Sequence, residues 1–427
     1  MDVNELGSRL AQFASSSLFM VPQFYEDALL NYLAVTLRGS HEHAVDVLIE
    51  ALLEDSKGDY SPIGRKEKLS LGDCCKVDCF SSAILAYDDI HFATTTHPCG
   101  PVASAILAIS RKQKVSLDEA IEALCAGMEV ECRIATALFD ATDCAPGWYT
   151  TGVAGVFGAA VGAGRLLGFD VKMMESVLGL AASYASGIRG THGSMAGSFV
   201  PAIAAKNGYE AAMLVAHGFT CNLSALTGSN GLILQITRNP DIEKAIADLG
   251  TVFMSQEVSA KPYPLGFISF APIECAKKFS GYKGIEEVSL EVSNRLAILG
   301  SNPIPKTMYE GFVSLPYVVA KTLVDDQLII EPLSEKLTIS REILDLIEKV
   351  KIRVNQQLRD EEARLTIRIG KQTYSSICTN ALGSKNNPMK HEDILEKCQK
   401  LIQNDNWING YYQNTIDDLY KYIGGLS

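Results

Sequence analysis

The stretch 152-GVAGVFGAAVGAGRLLGF-169 admits two readings, and the choice between them decides the fold. As a glycine-rich loop it would cradle the phosphates of a dinucleotide; as a helix it would be buried on every side. The loop reading fails on spacing, because Gly162 and Gly164 complete no G-x-G-x-x-G and no strand pattern precedes them. On a helix, Gly155, Gly158, Ala159 and Gly162 share one face, and small residues so spaced let neighbouring helices approach closely. The stretch predicts a helix over about 152–168 inside a buried bundle, and a nucleotide-dependent oxidoreductase is left without a phosphate loop.

Outward from that helix the same period persists. Apolar residues at three and four spacing, with Ala and Gly between them, run from about residue 9 to 250. Ser116 and Glu119 have capping-box spacing, and Leu117, Ala120, Ile121, Leu124 and Met128 line one face of the helix they open. Further helices are predicted at about 171–187 and 207–219. After about residue 270 the pattern changes. Val288, Leu290 and Val292 alternate with polar residues, as do Leu365, Ile367 and Ile369 ahead of Gly370-Lys371 and a second run, Thr373 to Cys378, which together read as a hairpin. Helices at about 314–325 and 338–348 lie between, and two more at about 390–403 and 412–423 close the chain. The expected fold is mainly α: a large all-helical domain over 1–270, completed by 390–427, plus a smaller α+β domain over 271–389 with a mainly antiparallel sheet.

Composition narrows the function. A length of 427 residues suits two domains, and 47% hydrophobic with 21% charged residues is globular. No apolar run reaches membrane-spanning length, and the acidic, polar start MDVNELGSRLAQFASSS is unlike a signal peptide, so a cytoplasmic protein with no membrane partner is expected. The net charge of -12 argues against nucleic acid. Eleven cysteines without a secretion signal suggest buried thiols rather than disulfides. Cys74, Cys75 and Cys79 have no second pair at finger spacing, and His41 and His43 stand apart from them, so no metal is expected.

Four polar segments interrupt the apolar pattern. The densest is 88-DDIHFATTTHP-98, whose Asp88, Asp89, His91 and His97 need partners or a cleft beside buried helices. Proton transfer at carbon needs a group that titrates near neutrality, which makes His97 the candidate acid/base and Asp88 and Asp89 its orienting carboxylates, with His91 a candidate substrate contact. Read structurally, the run is a loop that caps the helix after Pro98. In 146-PGWYTTG, Tyr149 and Thr150 would stand at a helix N-terminus suited to an anion or to ordinary capping. The segment 190-GTHGSMAGSF places His192 and Ser194 in a turn able to line a pocket. In 261-KPYPLGFISFAPIECA, Lys261 stands beside two prolines at the domain junction and supplies positive charge for a carboxylate, or the segment serves only as a linker.

The ordered set 87-YDDIH, His97-Pro98-Cys99-Gly100, 127-GMEVECRI, 147-GWYTTGVAGVFGAAVGAGRLLG, 206-KNGYEAAMLVAHGFT, 261-KPYP and 311-GFVSLPYVVAKTL resembles the 2-methylcitrate dehydratase family (MmgE/PrpD), which includes cis-aconitate decarboxylase and iminodisuccinate epimerase. The resemblance covers nearly the whole chain. It implies that the α+β domain acts as a lid, that the protein is a homodimer, and that a cofactor-free site lies between the domains. It also implies a lyase acting on a small carboxylic acid by proton abstraction next to a carboxylate, with loss of water or carbon dioxide. An isomerase returning the proton to the other face, or a lapsed member serving as a scaffold, are the alternatives.

Asp88, Asp89, His97 and Lys261 match the family pattern, and Arg133 matches as a structural residue. Elsewhere the chain departs from it. After Gly-Ser-Met the family usually places a Lys, then a His and an Arg, where this chain reads 196-AGSFVPAI; beyond KPYP, Phe270-Ala271-Pro272 replaces a His before Pro. Tyr149 stands where His is frequent, and Ala86 where an Asp commonly precedes the pair. Since each charge-assisted contact is worth about 1.5 to 3 kcal/mol, a lining without those groups predicts a less charged or more apolar substrate, handled by His97 with Tyr149 or His192 assisting.

Overall fold

A computed structural model describes residues 3–16, 23–139, 147–325 and 336–402. The N-terminal part is a succession of helices: α1 (Val3–Ser15), α2 (Gln23–Gly39), α3 (His43–Leu53), α4 (Leu71–Ile84), α5 (Cys99–Ser110), α6 (Leu117–Leu138), α7 (Thr150–Leu166), α8 (Val171–Tyr184) and α9 (Met195–Ala216). The short α10 (Ser224–Thr227), α11 (Leu232–Ile236) and α12 (Ile242–Ile246) follow. α7 is the axis of the bundle. It is buried from Thr150 to Gly164 and is packed by α5, α6, α8 and α9. Its small residues set those distances: a Cβ on Gly158 would lie 2.9 Å from the Gly127 carbonyl oxygen of α6, and one on Gly208 of α9 would lie 2.6 Å from the Val156 carbonyl oxygen.

Local sequence sets the boundaries. Ser116 and Glu119 form the capping box that opens α6, each side chain accepting from the other's backbone N–H. α9 starts at Met195, twelve residues before the position the periodicity predicts. Pro201 hides the start, because proline reads as a helix breaker, yet the helix runs through it while packed against α4 and α7. The polar run after α4, expected as loop alone, contains a strand, β1 (Asp89–His91), paired antiparallel with β2 (Val258–Ala260) in the register Asp89↔Ala260 and His91↔Val258.

A smaller α+β domain follows, built of α13 (Phe270–Lys277), β3 (Glu287–Val292), α14 (Asn294–Leu299), α15 (Met308–Gly311), α16 (Leu315–Val324), α17 (Arg341–Ile347), β4 (Val350–Val354), β5 (Ala363–Ile369) and β6 (Gln372–Cys378). The sheet order is β4-β3-β5-β6, antiparallel except for β4, which joins β3 in parallel and is absent from the sequence reading. β4 is five residues long and only Val350 and Ile352 pack against the core, each in part, so its alternation is too short to announce it. Val288, Leu290, Val292, Leu365 and Ile367 are fully buried on the covered face of the sheet. The last described helix, α18 (His391–Ile402), returns to the helical part and packs on α2, with His391 Nδ1 2.6 Å from Asp27 Oδ1. The helix predicted at 412–423 lies outside the described residues.

Candidate active site

The site is built on the short β1–β2 ladder. Ala86, in the left-handed region at φ 50°, turns the chain out of α4 so that Asp88 enters the ladder. The backbone N–H of Lys261 donates to the Asp88 carbonyl at 2.9 Å, extending the pairing by one rung. Two side chains 173 residues apart then meet in a buried ion pair, Lys261 Nζ 2.5 Å from Asp88 Oδ1.

After β1 the chain makes a tight turn that delivers His97. The Thr95 N–H donates to the His91 carbonyl at 2.7 Å and the His91 N–H to the Thr96 carbonyl at 2.8 Å, with Thr95 at φ 54°. α7 fastens this turn from outside. Thr150 Oγ1 donates to the Thr95 carbonyl and Thr151 Oγ1 accepts the His97 N–H. The hydroxyls and His91 serve the same end, since Thr94 Oγ1 lies 2.7 Å from His91 Nδ1 and 2.8 Å from Thr96 Oγ1. His91 is buried, and burial pushes its imidazole down to about 4.

His97 Nδ1 sits 2.5 Å from the Asp89 carbonyl oxygen and 3.2 Å from Asp88 Oδ2. A carbonyl oxygen only accepts, so Nδ1 carries the proton and Nε2 is left with its lone pair. Burial, then the Lys261 charge, brings His97 down to about 4, so the ring is neutral at physiological pH. Burial alone would raise Asp88, but Lys261 and then His97 outweigh it and hold the carboxylate below its usual range. Asp89 behaves oppositely: burial and the Asp88 charge push it up to about 7. Its Oδ2 accepts the Cys99 N–H at the start of α5, and its Oδ1 has no partner among the described residues.

These groups face a cavity of about 330 Å³. Of the residues singled out in the sequence, Asp88, His97, Tyr149, Thr150, His192, Ser194 and Lys261 line it. Asp89 and His91 do not. Asp89 supports the wall from behind, and His91 is held inside the turn by Thr94. The Tyr149 and His192 rings lie 4.8 Å apart, with His192 Nδ1 donating to the Arg189 carbonyl at 2.8 Å. Desolvation in the cavity lowers His192 and raises the Tyr149 phenol. The cavity also takes in residues outside the four segments. Arg189 stands one residue before the third of them, and Leu299, Tyr309, Phe312 and Val313 come from the second half of the chain, where Ile268 of the fourth segment joins them. A lone arginine following an apolar helix was the signal available for the first; the apolar wall had none.

Asp88, Asp89 and His97 bring ligand-type atoms within 4.8 Å of one another. Most of those atoms are committed, however: Asp88 Oδ1 to the Lys261 ammonium and Nδ1, as donor, to a carbonyl. Such an arrangement favours a proton-transfer site over a cation site. Cys74, Cys75 and Cys79 are buried free thiols of α4.

The lineage of this arrangement is visible in the whole chain. A model of the MmgE/PrpD N-terminal domain matches residues 9–245, which hold β1, the turn and α7, and one of the MmgE/PrpD C-terminal domain matches residues 263–405. A protein named cis-aconitate decarboxylase from Aspergillus terreus is 27% identical over 341 residues, covering 73% of this chain and 69% of that protein. Proteins of the same name from Homo sapiens and Mus musculus are 23% and 22% identical, covering 78% and 71% of this chain and 72% and 66% of theirs. With both parts of the chain matched in order, this protein belongs to the MmgE/PrpD family.

Proposed function

We propose that this protein is a lyase that abstracts a proton from the carbon next to a carboxylate of a small acid, with His97 as the base. One observation carries the reading. Nδ1 is spent as a donor to the Asp89 carbonyl and Asp88, so a neutral imidazole offers Nε2 as the acceptor on a cavity-lining residue that keeps 17% side-chain exposure. The relatives named cis-aconitate decarboxylase support the reaction class.

In the proposed reaction the proton passes to Nε2, and the electron pair of the broken C–H bond moves toward the adjacent carboxylate. Asp88, held ionised by Lys261, stabilises the imidazolium that forms. When the β-carbon bears a hydroxyl, the pair returns to form C=C as the C–O bond breaks. The hydroxyl leaves as water with a proton from Tyr149, whose phenol burial keeps protonated. Where carbon dioxide is lost instead, the C–C bond to the carboxylate breaks, its electron pair stays on the substrate carbon, and that carbon takes up a proton in place of giving one to the base.

Proton NMR in D2O with a panel of mono-, di- and tricarboxylates tests this. The wild-type protein is expected to consume an acid or exchange its α-proton, and His97→Ala to slow that reaction by about 10²- to 10⁴-fold. Because the base must be neutral, the rate should stay level from pH 7 to about 5 and fall as pH drops through about 4. An undiminished rate in His97→Ala would remove His97 from the chemistry.

A further inference from the structure

The charges lining the cavity do not balance. Lys261 is neutralised by Asp88 at 2.5 Å, burial brings His97 down to about 4, and desolvation in the cavity lowers His192. Arg189 remains. It lies in the turn between α8 and α9, its carbonyl holds His192, and no carboxylate among the described residues pairs with its guanidinium. The cavity thus presents one net positive charge. A guanidinium offers the planar, two-pronged donor set that matches a carboxylate.

The rest of the lining is of another kind. Ile90, Ile268, Leu299, Phe312 and Val313 bring alkyl and aromatic surface and no charge. A tricarboxylate would carry three negative charges to one unpaired cation, leaving two carboxylates desolvated beside apolar side chains. A monocarboxylate with a hydrocarbon body would satisfy both halves of the cavity.

We infer that Arg189 is the carboxylate anchor and that the substrate class is a monocarboxylic acid carrying an apolar substituent of several carbons, seated against Ile268, Leu299, Phe312 and Val313. The inference rests on the cavity being the substrate site of the reaction proposed above. It makes Arg189 a specificity-determining residue on the α8–α9 turn, in a chain that lacks the family's usual Lys, His and Arg at the start of the following helix.

Calorimetric titration with two probes, hexanoate and tricarballylate, decides it. Hexanoate is expected to bind the wild-type protein at least about tenfold more tightly than tricarballylate. Arg189→Gln should weaken hexanoate by about tenfold or more, the worth of a charge-assisted contact, and Arg189→Lys should recover part of the loss. Tighter binding of tricarballylate, no binding of hexanoate, or indifference of hexanoate to Arg189→Gln in a variant with wild-type circular dichroism would each overturn the assignment. The two readings fail separately. Hexanoate bound through Arg189, with no acid showing His97-dependent proton loss, would sink the reaction and keep the anchor; His97-dependent turnover of a tricarboxylate bound more tightly than hexanoate would do the reverse.

Discussion

Asp89 shows how much of this site is written in single side chains. Its carbonyl sets the tautomer of His97 and its carboxyl caps α5, yet among the described residues Oδ1 has no partner, and neither do the two carboxylate oxygens of Glu131, whose acid burial and then Asp89 hold well above the usual range. A carboxyl whose folded-state value is about 7 keeps a proton that the unfolded chain releases near 4. Folding therefore loses stability as pH rises through that window. His91 and His97, pulled down to about 4, act in the other direction, since the unfolded chain takes up protons they refuse; their share is lost as pH falls from 6.5 toward 4. Asp89→Asn removes the first of these terms and keeps an oxygen to accept the Cys99 N–H. Denaturant melts at pH 5 and 7.5 should show the variant gaining about 2 to 3 kcal/mol on wild type between the two pH values. An equal pH slope in both proteins would mean that Asp89 is ionised when folded.

At the scale of elements, the helices are held at distances that only glycine allows. A Cβ on Gly208 would meet the Ala159 Cβ at 2.5 Å and the Val156 carbonyl at 2.6 Å, neither of which can move without shifting α7. Gly208→Ala should cost about 1 to 3 kcal/mol. Gly72 in α4 is the contrast: its nearest neighbour would be 3.5 Å away, at the edge of the Tyr209 ring, so Gly72→Ala should be neutral or stabilising by up to about 1 kcal/mol. Thermal melts of the two variants should move in different directions. The same elements show what could be read without a structure. α6, α7, β3 and the β5–β6 hairpin repeat a period long enough to be seen against one buried face. β1 has three residues, β4 lies exposed at the sheet edge, and α9 runs through a proline, so pattern alone finds none of them correctly. The residue types of the site were legible in the density of polar groups around His97. Their pairing was not, because the contact between Asp88 and Lys261 is created by a register between strands 173 residues apart. Arg189 and the apolar wall belong to no repeat at all.

For the molecule as a whole, the ladder that carries Asp88 and Lys261 is held from behind by the far end of the chain. Lys397 of α18 is buried, donates to the carbonyls of Tyr87 at 2.7 Å and Lys261 at 2.9 Å, and lies 3.8 Å from the centre of the Tyr87 ring. Burial brings this amine down to about 7, so its charge is poised near neutrality. Lys397→Met keeps the volume and removes both donors. It is expected to lower the turnover number by about tenfold or more while leaving the Michaelis constant within about threefold, because the strand ends that aim Asp88 are freed while Arg189 and the apolar wall have no contact with Lys397. A proportional rise in the Michaelis constant instead would place the effect on substrate binding. The same contact has a temporal side. During synthesis the helical part up to Ala216, including the turn that bears His97, leaves the ribosome long before α18 does, and Lys261 also precedes its clamp by 136 residues. A nascent chain therefore holds every group of the site before it holds the brace that aligns them, so activity should emerge only once α18 has been made.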